Sequence, residues 1–354
     1  MYDAFIDSLD KHMPILKDVH EFHVPKREKQ VSKSKVHISC KIETISDLID
    51  LAKNNPYDEN VEYNINMKMI HDMQEGLIEL NDFIGLENIK KEILEQILYC
   101  LQELKGKDEY MHMVLSGPPG TGKTELAKVI GKISSVLLKR KKATTEPIFK
   151  KATRSDLIAG YLGQTAIKTR KTIESAIGGV LFIDEAYALG HYQKDDSFAK
   201  ECVDTLNEML SMHRDDLIVI IAGYEEQLQK CFFRMNAGLE SRFPWKYKID
   251  KYTSDDLCDM FLLKMKKDEW NTQMKKKELQ EWFKEHKKQM PYYGRDIEVL
   301  LSKCKIAHSR HIFGNDKREK RLLTKDDIED GYKKLIEHRE KEDEYPSALF
   351  GLYT

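Results

Sequence analysis

The chain has 354 residues, of which 41% are hydrophobic and 33% are charged. Its 58 Lys and Arg residues almost balance its 60 Asp and Glu residues, which leaves a net charge of −2. That balance argues against a globally basic nucleic-acid-binding protein, although it leaves room for local basic patches. A chain of this length can hold about two domains and an extension, with cores large enough to fold without disulfides or a structural metal.

The cysteines and the apolar runs indicate the compartment. The six cysteines stand far apart and form no Cys-x-x-Cys pair, which argues against a zinc ribbon or a redox motif. The longest apolar runs are too short to span a bilayer. The first residues lack the basic-then-apolar order of a signal peptide. We therefore expect a protein of a reducing compartment, cytoplasmic or nuclear, with no membrane contact.

Residues 1–75 are predicted to form an N-terminal extension of unknown fold. Lys and Arg residues at positions 26–41 make a basic stretch, which favours a solvated loop over a nucleic-acid contact because no aromatic residues interleave with it. Apolar residues alternate from 36 to 42, a pattern that predicts one strand. A short helix is predicted over residues 44–55, ending before Pro56.

Residues 76–250 alternate strand-like and helix-like patterns, which is typical of a parallel sheet sandwiched by helices. The predicted strands lie at residues 111–116, 148–151, 180–183, 217–222 and 246–249. The runs at 180–183 and 217–222 are almost wholly apolar, as strands buried on both faces should be. The runs at 148–151 and 246–249 are mixed, which suits the sheet edges.

Helices are predicted between these strands and after them. Ser197, Ser254 and Thr324 can each cap a helix. No strand-like run follows residue 250. Residues 251–340 are therefore predicted to form a small all-α domain, and residues 341–354 a C-terminal tail.

A phosphate-binding loop is predicted at residues 117–124, between a strand and a helix. The sequence GPPGTGKT satisfies the pattern G-x-x-x-x-G-K-[ST]. Glycines let backbone N–H groups wrap a phosphate, and the following helix aims its positive end at the same anion. Lys123 can reach the β- and γ-phosphates, and the Thr124 hydroxyl can ligate Mg²⁺. The predicted binding residues are Gly117, Pro118, Pro119, Gly120, Thr121, Gly122, Lys123 and Thr124.

Two carboxylates follow the apolar run at 180–183. Asp184 and Glu185 stand at the carboxyl end of a predicted buried strand, where open α/β sheets bind ligands. Asp184 is predicted to hold Mg²⁺. Glu185 faces a different direction and is predicted to polarise the attacking water. An apolar run ending in Asp-Glu is common by itself, and its pairing with the phosphate loop favours the functional interpretation.

Residues 117–124 and 180–185 together resemble an AAA+ ATPase. Further segments resemble one branch of that family, the red-type Rubisco activases and their relatives like stage V sporulation protein K. Those segments are residues 154–169, 179–187, 214–224 and 238–243. The resemblance covers most of residues 80–310. It implies a P-loop AAA+ module followed by a helical lid, hydrolysis of ATP with Mg²⁺, and a homo-oligomeric ring, usually a hexamer, that pulls on protein substrates.

The resemblance also implies roles for residues outside the phosphate loop. Arg242 matches the arginine finger, which reaches the γ-phosphate of a neighbouring subunit, and Arg234 is a weaker second candidate. Tyr161, Leu162 and Gly163 match the pore loop, where an aromatic side chain grips an extended polypeptide through apolar contact.

Four more residues match positions that contact nucleotide in this family. Arg295 matches the lid arginine that senses nucleotide. Ile84 and Gly85 match a segment that contacts adenine through backbone atoms. Tyr224 stands at the end of the fourth strand, where many AAA+ proteins place an Asn that positions water.

These observations predict an ATP-hydrolysing protein remodeller with Lys123, Glu185 and Arg242 as its catalytic groups. One alternative is a nucleic-acid motor or clamp-loader-like ATPase, which only the basic stretch at 26–41 and the basic cluster at 139–142 support. That cluster also admits a nuclear signal. The other alternative is a nucleotide-gated scaffold with slow turnover. The sequence does not identify the protein client.

Overall fold

The computed structural model describes residues 34–106, 108–138, 148–161, 163–190, 196–314 and 319–344. Several predictions fall outside the described residues: the basic cluster at 139–142, most of the basic stretch at 26–41, Leu162, and the tail from residue 345. Among the described residues, no helix combines the length and the apolar character needed to cross a membrane.

The N-terminal part contains a small parallel strand pair and two helices. Strands β1 (Ser34–Val36) and β2 (Val61–Tyr63) flank helix α1 (Ile45–Asn54), and helix α2 (Met67–Asn81) follows. The predicted helix at 44–55 is confirmed, with Thr44 as its cap.

The predicted strand at 36–42 is mostly wrong, because β1 ends at Val36. Beyond Val36, the side chain of Asn64 takes the place of the backbone of β2 as the hydrogen-bond partner. The backbone N–H of Ile38 donates to Asn64 Oδ1 at 2.7 Å, and Asn64 Nδ2 donates to the Ile38 carbonyl at 2.9 Å. An amide that satisfies both backbone groups of Ile38 ends the ladder.

Helix α2 packs directly against the following α/β layers. At Gly76 an added Cβ would lie 2.7 Å from Ile133 Cγ1, so the two backbones approach closely there. Apolar residues of α1 and α2 belong to the same buried cluster as helix α3 (Glu87–Leu101). The predicted boundary after residue 75 falls inside α2. The division of the chain into domains stays a prediction.

The central sheet has five parallel strands in the order β4-β5-β6-β3-β7. They are β3 (Met113–Ser116), β4 (Phe149–Ala152), β5 (Val180–Ile183), β6 (Ile218–Gly223) and β7 (Trp245–Lys248). Strands β5 and β6 are wholly buried, whereas β4 and β7 have exposed residues and form the edges. The five predicted strands and their placement are confirmed.

Alternate residues of the inner strands face two separate apolar layers. Leu115 and Phe182 join the cluster that contains α3 and helix α4 (Lys123–Leu137). Val114 and Leu181 join the opposite cluster. That second layer includes helices α5 (Arg154–Leu157), α6 (Thr165–Glu174) and α7 (Ser197–Met212). The predicted sheet sandwiched by helices is confirmed.

A third cluster holds the C-terminal helices together. They are α8 (Ser254–Lys267), α9 (Lys276–His286), α10 (Gly294–Ile312) and α11 (Lys325–Glu344). We call this helical region the lid. It also contains a parallel pair, β8 (Asn271–Thr272) and β9 (Leu322–Leu323), which is too short to leave a periodic pattern in the sequence.

Two predicted helix caps are displaced by one residue. Helix α7 is capped by Asp196, which accepts hydrogen bonds from the N–H groups of Phe198 and Ala199. Helix α8 is capped by Thr253, whose hydroxyl accepts a hydrogen bond from the Asp256 N–H. In return, the Asp256 carboxylate accepts a hydrogen bond from the Thr253 N–H. This reciprocal bonding fixes the cap at Thr253, one residue before the predicted cap Ser254.

Candidate active site

A cleft of about 1140 Å³ opens at the carboxyl ends of β3, β5 and β6, between the sheet and the lid. Its walls bring together most residues that the sequence predicted to bind nucleotide. These are Pro119, Gly120, Thr121, Gly122, Lys123, Thr124, Ile84, Asp184, Glu185, Tyr224 and Arg295. Gly85 lies beside the cleft in a left-handed conformation, with α8 next to it: an added Cβ would be 3.2 Å from Asp256 Oδ1.

The phosphate loop has the backbone that its glycines permit. Gly120 and Gly122 have φ values of +73° and +82°, in the left-handed region that other residues rarely adopt. A Cβ added to Gly120 would lie 1.9 Å from the Tyr292 carbonyl oxygen, so this position admits only glycine. Apart from its two chain neighbours, no described residue has an atom within 4 Å of a Cβ built at Gly122. The loop therefore packs on the lid at one point and presents a free backbone cradle at another.

Lys123 begins α4 and is half-buried in the loop. Its Nζ donates to the carbonyls of Gly117 at 2.9 Å and Pro118 at 2.7 Å. Burial lowers the pKa of its ammonium and Arg295 adds to that shift, while Asp184 and Glu185 oppose it. A partly desolvated cation beside a backbone cradle suits a phosphate ligand.

Thr124 and Asp184 form an oxygen-only donor set. The Thr124 hydroxyl donates to Asp184 Oδ2 at 3.0 Å, which joins the start of α4 to the end of β5. One carboxylate and one hydroxyl, completed by phosphate oxygens and water, are the ligands that Mg²⁺ prefers. The two residues therefore fit the predicted metal. Lys151 Nζ also donates to Asp184 Oδ2, at 2.7 Å, a contact that the sequence did not predict.

Glu185 turns the chain sharply after β5. Its φ of +51° is unusual for a residue with a side chain, and such strain concentrates at functional sites. Burial, followed by the nearby negative charge of Glu185, raises the pKa of Tyr187 to about 12. The ring of Tyr187 stacks on Tyr224, with centroids 5.5 Å apart. Tyr187 was missed because its sequence position carries no motif of its own.

Arg295 enters the cleft from the first turn of α10. The preceding residue, Gly294, donates its N–H to the Gly120 carbonyl at 3.0 Å, so the lid touches the phosphate loop next to this arginine. Asp296 is buried and accepts from the Tyr292 N–H at 2.7 Å. Arg339 of α11 donates to Asp296 and to the Gln289 carbonyl.

Arg242 lies at the opposite end of the sheet from the phosphate loop. It precedes β7, whose Trp245 is level with Met113 at the start of β3, whereas the loop follows the last residue of β3. Four strand residues separate the two ends by about 13 Å. Arg242 Nε donates to Ser211 Oγ at 3.0 Å, and its guanidinium lies 5.8 Å from the Tyr110 ring. The structure does not bring Arg242 to the cleft of its own chain.

The two other predicted sites also lie away from the cleft. Arg234 is exposed, in the turn Phe233–Met235. Tyr161 is 74% exposed, in the connection between α5 and α6, and Gly163 beside it has a φ of +76°. Lys168 Nζ fastens the base of this connection by donating to the Ile158 carbonyl at 3.0 Å.

Comparison with known proteins places the chain in a family. Residues 113–247 match the model of the ATPase family associated with various cellular activities, AAA. The chain is 40% identical over 255 residues to a cfxQ-like protein of Acanthamoeba polyphaga mimivirus, covering 72% of this chain and 62% of that protein. It is 34% identical over 267 residues to a CfxQ homolog of Pyropia yezoensis, covering 72% and 86%.

Further similarities extend to a secretion-system protein over a shorter stretch and to a solved structure. The ESX-1 secretion system protein EccA1 of Mycobacterium tuberculosis is 38% identical over 197 residues, which cover 53% of this chain and 34% of that protein. The chain thus spans less than two thirds of the mimivirus and mycobacterial relatives. The FIGL-1 AAA domain, solved with ADP, shares the fold with a TM-score of 0.54 at 19% identity, over 72% of this chain and 83% of that chain. From the matched AAA model and the CfxQ homolog, we conclude that the chain belongs to the AAA family of ATPases.

Proposed function

We propose that the protein hydrolyses ATP at this cleft and uses the cycle to remodel a protein substrate. The observation that carries the proposal is the convergence of the phosphate loop, Asp184 and Glu185 on one cleft, with Thr124 and Asp184 in direct contact at 3.0 Å. Phosphoryl transfer from ATP needs positioning and charge stabilisation more than covalent chemistry, and this constellation supplies both.

Each residue of the constellation has a separate task. The loop N–H groups and Lys123 hold the phosphates, and Arg295 adds a cation from the lid. Thr124 and Asp184 would hold Mg²⁺, which neutralises negative charge on the transferring phosphoryl group when bound. Glu185 accepts the proton of the attacking water, and Tyr187 lines the cleft beside it.

Arg242 acts on a neighbouring copy in this proposal. Its position at the far end of the sheet keeps it from its own cleft. An arginine that reaches the γ-phosphate from outside can raise the rate by about 10³- to 10⁵-fold. The protein is therefore proposed to work as a homo-oligomeric ring, a hexamer by resemblance to its family.

Tyr161 is proposed to move the substrate. A Tyr that is 74% exposed beside a glycine can grip apolar parts of an extended chain without sequence preference. EccA1 is named as a secretion system protein, and its name does not mention nucleic acid. The proposed likeness to the red-type activase branch rests on residues 154–169, 179–187, 214–224 and 238–243.

Replacing the water-activating group tests the proposal. Glu185→Gln removes the proton acceptor and keeps its size, so we expect ATP turnover to fall about 100- to 1,000-fold while ATP binding persists. Glu208→Gln is the matched control, because Glu208 is an exposed carboxylate that pairs with Arg170. Steady-state phosphate release and equilibrium nucleotide binding are measured for both. Undiminished turnover in Glu185→Gln would remove the assignment.

The same variant distinguishes the proposed substrate from the alternatives. ATP-loaded Glu185→Gln should retain a protein client, whose addition stimulates turnover of the wild-type protein. Salt-sensitive stimulation by DNA or RNA would instead favour a nucleic-acid motor. ATP-dependent assembly with almost no turnover in the wild-type protein would favour a scaffold.

A further inference from the structure

Lys151 contacts the Asp184 carboxylate, which the proposed function assigns to Mg²⁺. It is the third residue of edge strand β4 and pairs with Phe182 of β5, two residues before Asp184. Its Nζ lies 2.7 Å from Asp184 Oδ2. The Thr124 hydroxyl donates to that same oxygen at 3.0 Å. Asp184 Oδ2 therefore accepts hydrogen bonds from both Thr124, a proposed Mg²⁺ ligand, and the Lys151 ammonium.

The two cations cannot share this oxygen without strong repulsion. A metal held by Thr124 and Asp184 needs Oδ2, because that is the oxygen next to the Thr124 hydroxyl. Lys151 offers a compact positive charge on a flexible stem, and repulsion between like charges a few ångströms apart rises steeply when they are partly desolvated. The Asp184 side chain is only 19% exposed, so the shared oxygen is shielded from solvent.

Lys151 is free to move away and is held close enough to return. Its side chain is 46% exposed at the sheet edge. Its ammonium also lies 5.9 Å from the Phe182 ring, a weaker contact that does not use Oδ2. The backbone that follows is fixed, since Arg154 Nη1 donates to the Ala188 carbonyl at 2.7 Å, just beyond Glu185. A rotation of the lysine side chain is therefore sufficient to separate its ammonium from Asp184 Oδ2.

We propose that Lys151 competes with Mg²⁺ for Asp184 Oδ2 and thereby sets the Mg²⁺ concentration at which the cleft holds its nucleotide. The proposal rests on the proposed binding of ATP and Mg²⁺ at this site. Lys151 keeps Asp184 neutralised until the metal enters, and it favours metal release after the cycle. It is a positioning residue, since it acts through Asp184.

A magnesium titration of nucleotide binding tests the competition without measuring turnover. Full-length Lys151→Met and wild-type proteins are titrated with a non-hydrolysable ATP analogue at a series of free Mg²⁺ concentrations. We expect the half-saturating Mg²⁺ concentration to be about three- to tenfold lower in Lys151→Met, because one opposing charge is gone. Lys151→Arg keeps the charge and should retain a midpoint near the wild-type value.

Lys150→Met is the matched control. Lys150 is the adjacent residue of the same strand, so its side chain points to the other face of the sheet, and its charge acts on Asp156. A Mg²⁺ midpoint in Lys151→Met that equals or exceeds the wild-type value overturns the competition. An equal shift in Lys150→Met also overturns it, because loss of net charge would then explain the effect.

A further variant separates this inference from the assignment of the cleft. Lys123→Ala should lose affinity for the analogue at every Mg²⁺ concentration if the cleft binds ATP as proposed. If Lys123→Ala binds normally, the proposed function fails. If Lys123→Ala loses binding and Lys151→Met leaves the Mg²⁺ midpoint unchanged, only the role of Lys151 fails.

Discussion

His112 is a fully buried imidazole at the start of β3. Its Nδ1 accepts the Val219 N–H at 3.1 Å, which fixes the neutral tautomer with the proton on Nε2. Among the described residues, none accepts a hydrogen bond from the Nε2–H group. Burial lowers the pKa of His112 to about 3; the Leu210 backbone opposes this shift, and the charges of Arg242 and Lys105 add to it. The folded protein therefore resists protonation that the unfolded chain accepts.

This imidazole predicts how stability depends on pH. The folded pKa lies below the unfolded value near 6.5, so the unfolded chain binds the proton first as the pH falls. The contribution of His112 to the free energy of unfolding is therefore fully present above about pH 6.5. It decreases as the pH falls below that value, by up to about 1.4 kcal/mol per pH unit. His112→Asn keeps an acceptor for Val219 and cannot titrate. Urea unfolding at pH 7.5 and 5.5 should show a smaller loss in His112→Asn, and equal losses would contradict the prediction.

The residues of the cleft divide by whether their partners are close in sequence. The phosphate loop and the pair Asp184 and Glu185 are contiguous motifs whose chemistry can be predicted from the chain alone. Lys151 and Tyr187 could not be predicted, because no motif marks them and their contacts depend on strand register and on a strained turn. The role of Arg242 as an arginine finger was predicted only through family resemblance. The residues around Arg242 form no pattern that shows at which end of the sheet it lies.

At the scale of elements, the lid turn at 289–296 joins α11 to the phosphate loop. Arg339 of α11 binds both ends of this turn, at the Gln289 carbonyl and at the buried Asp296 carboxylate. The middle of the turn lies against the loop, where the Tyr292 carbonyl leaves no room for a side chain at Gly120. The C-terminal helix therefore stabilises the backbone that presents Arg295 to the cleft.

Removal of this clamp should weaken nucleotide binding. Arg339→Met leaves the buried Asp296 carboxylate with the Tyr292 N–H as its remaining described partner, and an unpaired buried charge is strongly destabilising. We expect nucleotide affinity to fall about three- to tenfold, as the turn loosens around Arg295. Lys333→Met is the control, because Lys333 is an exposed cation of α11 that pairs with Asp330. Calorimetric affinities that are the same for both variants would argue against the clamp.

Element types could be predicted from the sequence more reliably than element edges. Strands β5 and β6 were recognisable because both of their faces are buried and nearly every residue is apolar. The pair β8 and β9 is too short for any period to show. Two caps lie one residue earlier than predicted because Ser, Thr and Asp all have cap chemistry. At α8 the reciprocal bond of Asp256, three residues after Thr253, decides between the neighbours.

For the whole molecule, the important geometry is the separation of Arg242 from the cleft. The cleft opens at the carboxyl ends of the strands and Arg242 stands at their amino ends. A contact that joins these two different surfaces on successive copies is head-to-tail, and such contacts close into rings when the rotation permits. The proposed ring is thus consistent with the placement of an arginine that cannot serve its own subunit.

Mixing two inactive variants tests this arrangement. Glu185→Gln lacks the water-activating group, and Arg242→Ala lacks the arginine. In mixed rings, a subunit that keeps Glu185 can receive Arg242 from a Glu185→Gln neighbour. With equal amounts and random assembly, half times half, or about a quarter of the sites, should regain both groups. Turnover should then rise well above the mean of the two separate variants.

The control for this experiment is the other candidate arginine. Arg234→Ala should remain active alone, because Arg234 is an exposed residue to which the mechanism assigns no task. Co-assembly of the two variants is verified by pulling down one affinity tag and detecting a second. If tagged copies co-assemble and turnover does not recover, Arg242 does not act across the subunit boundary. If Arg234→Ala is inactive and recovers on mixing with Glu185→Gln while Arg242→Ala does not, the finger is Arg234. The proposed head-to-tail contact would then be retained, with Arg234 instead of Arg242 reaching the cleft of the neighbouring subunit.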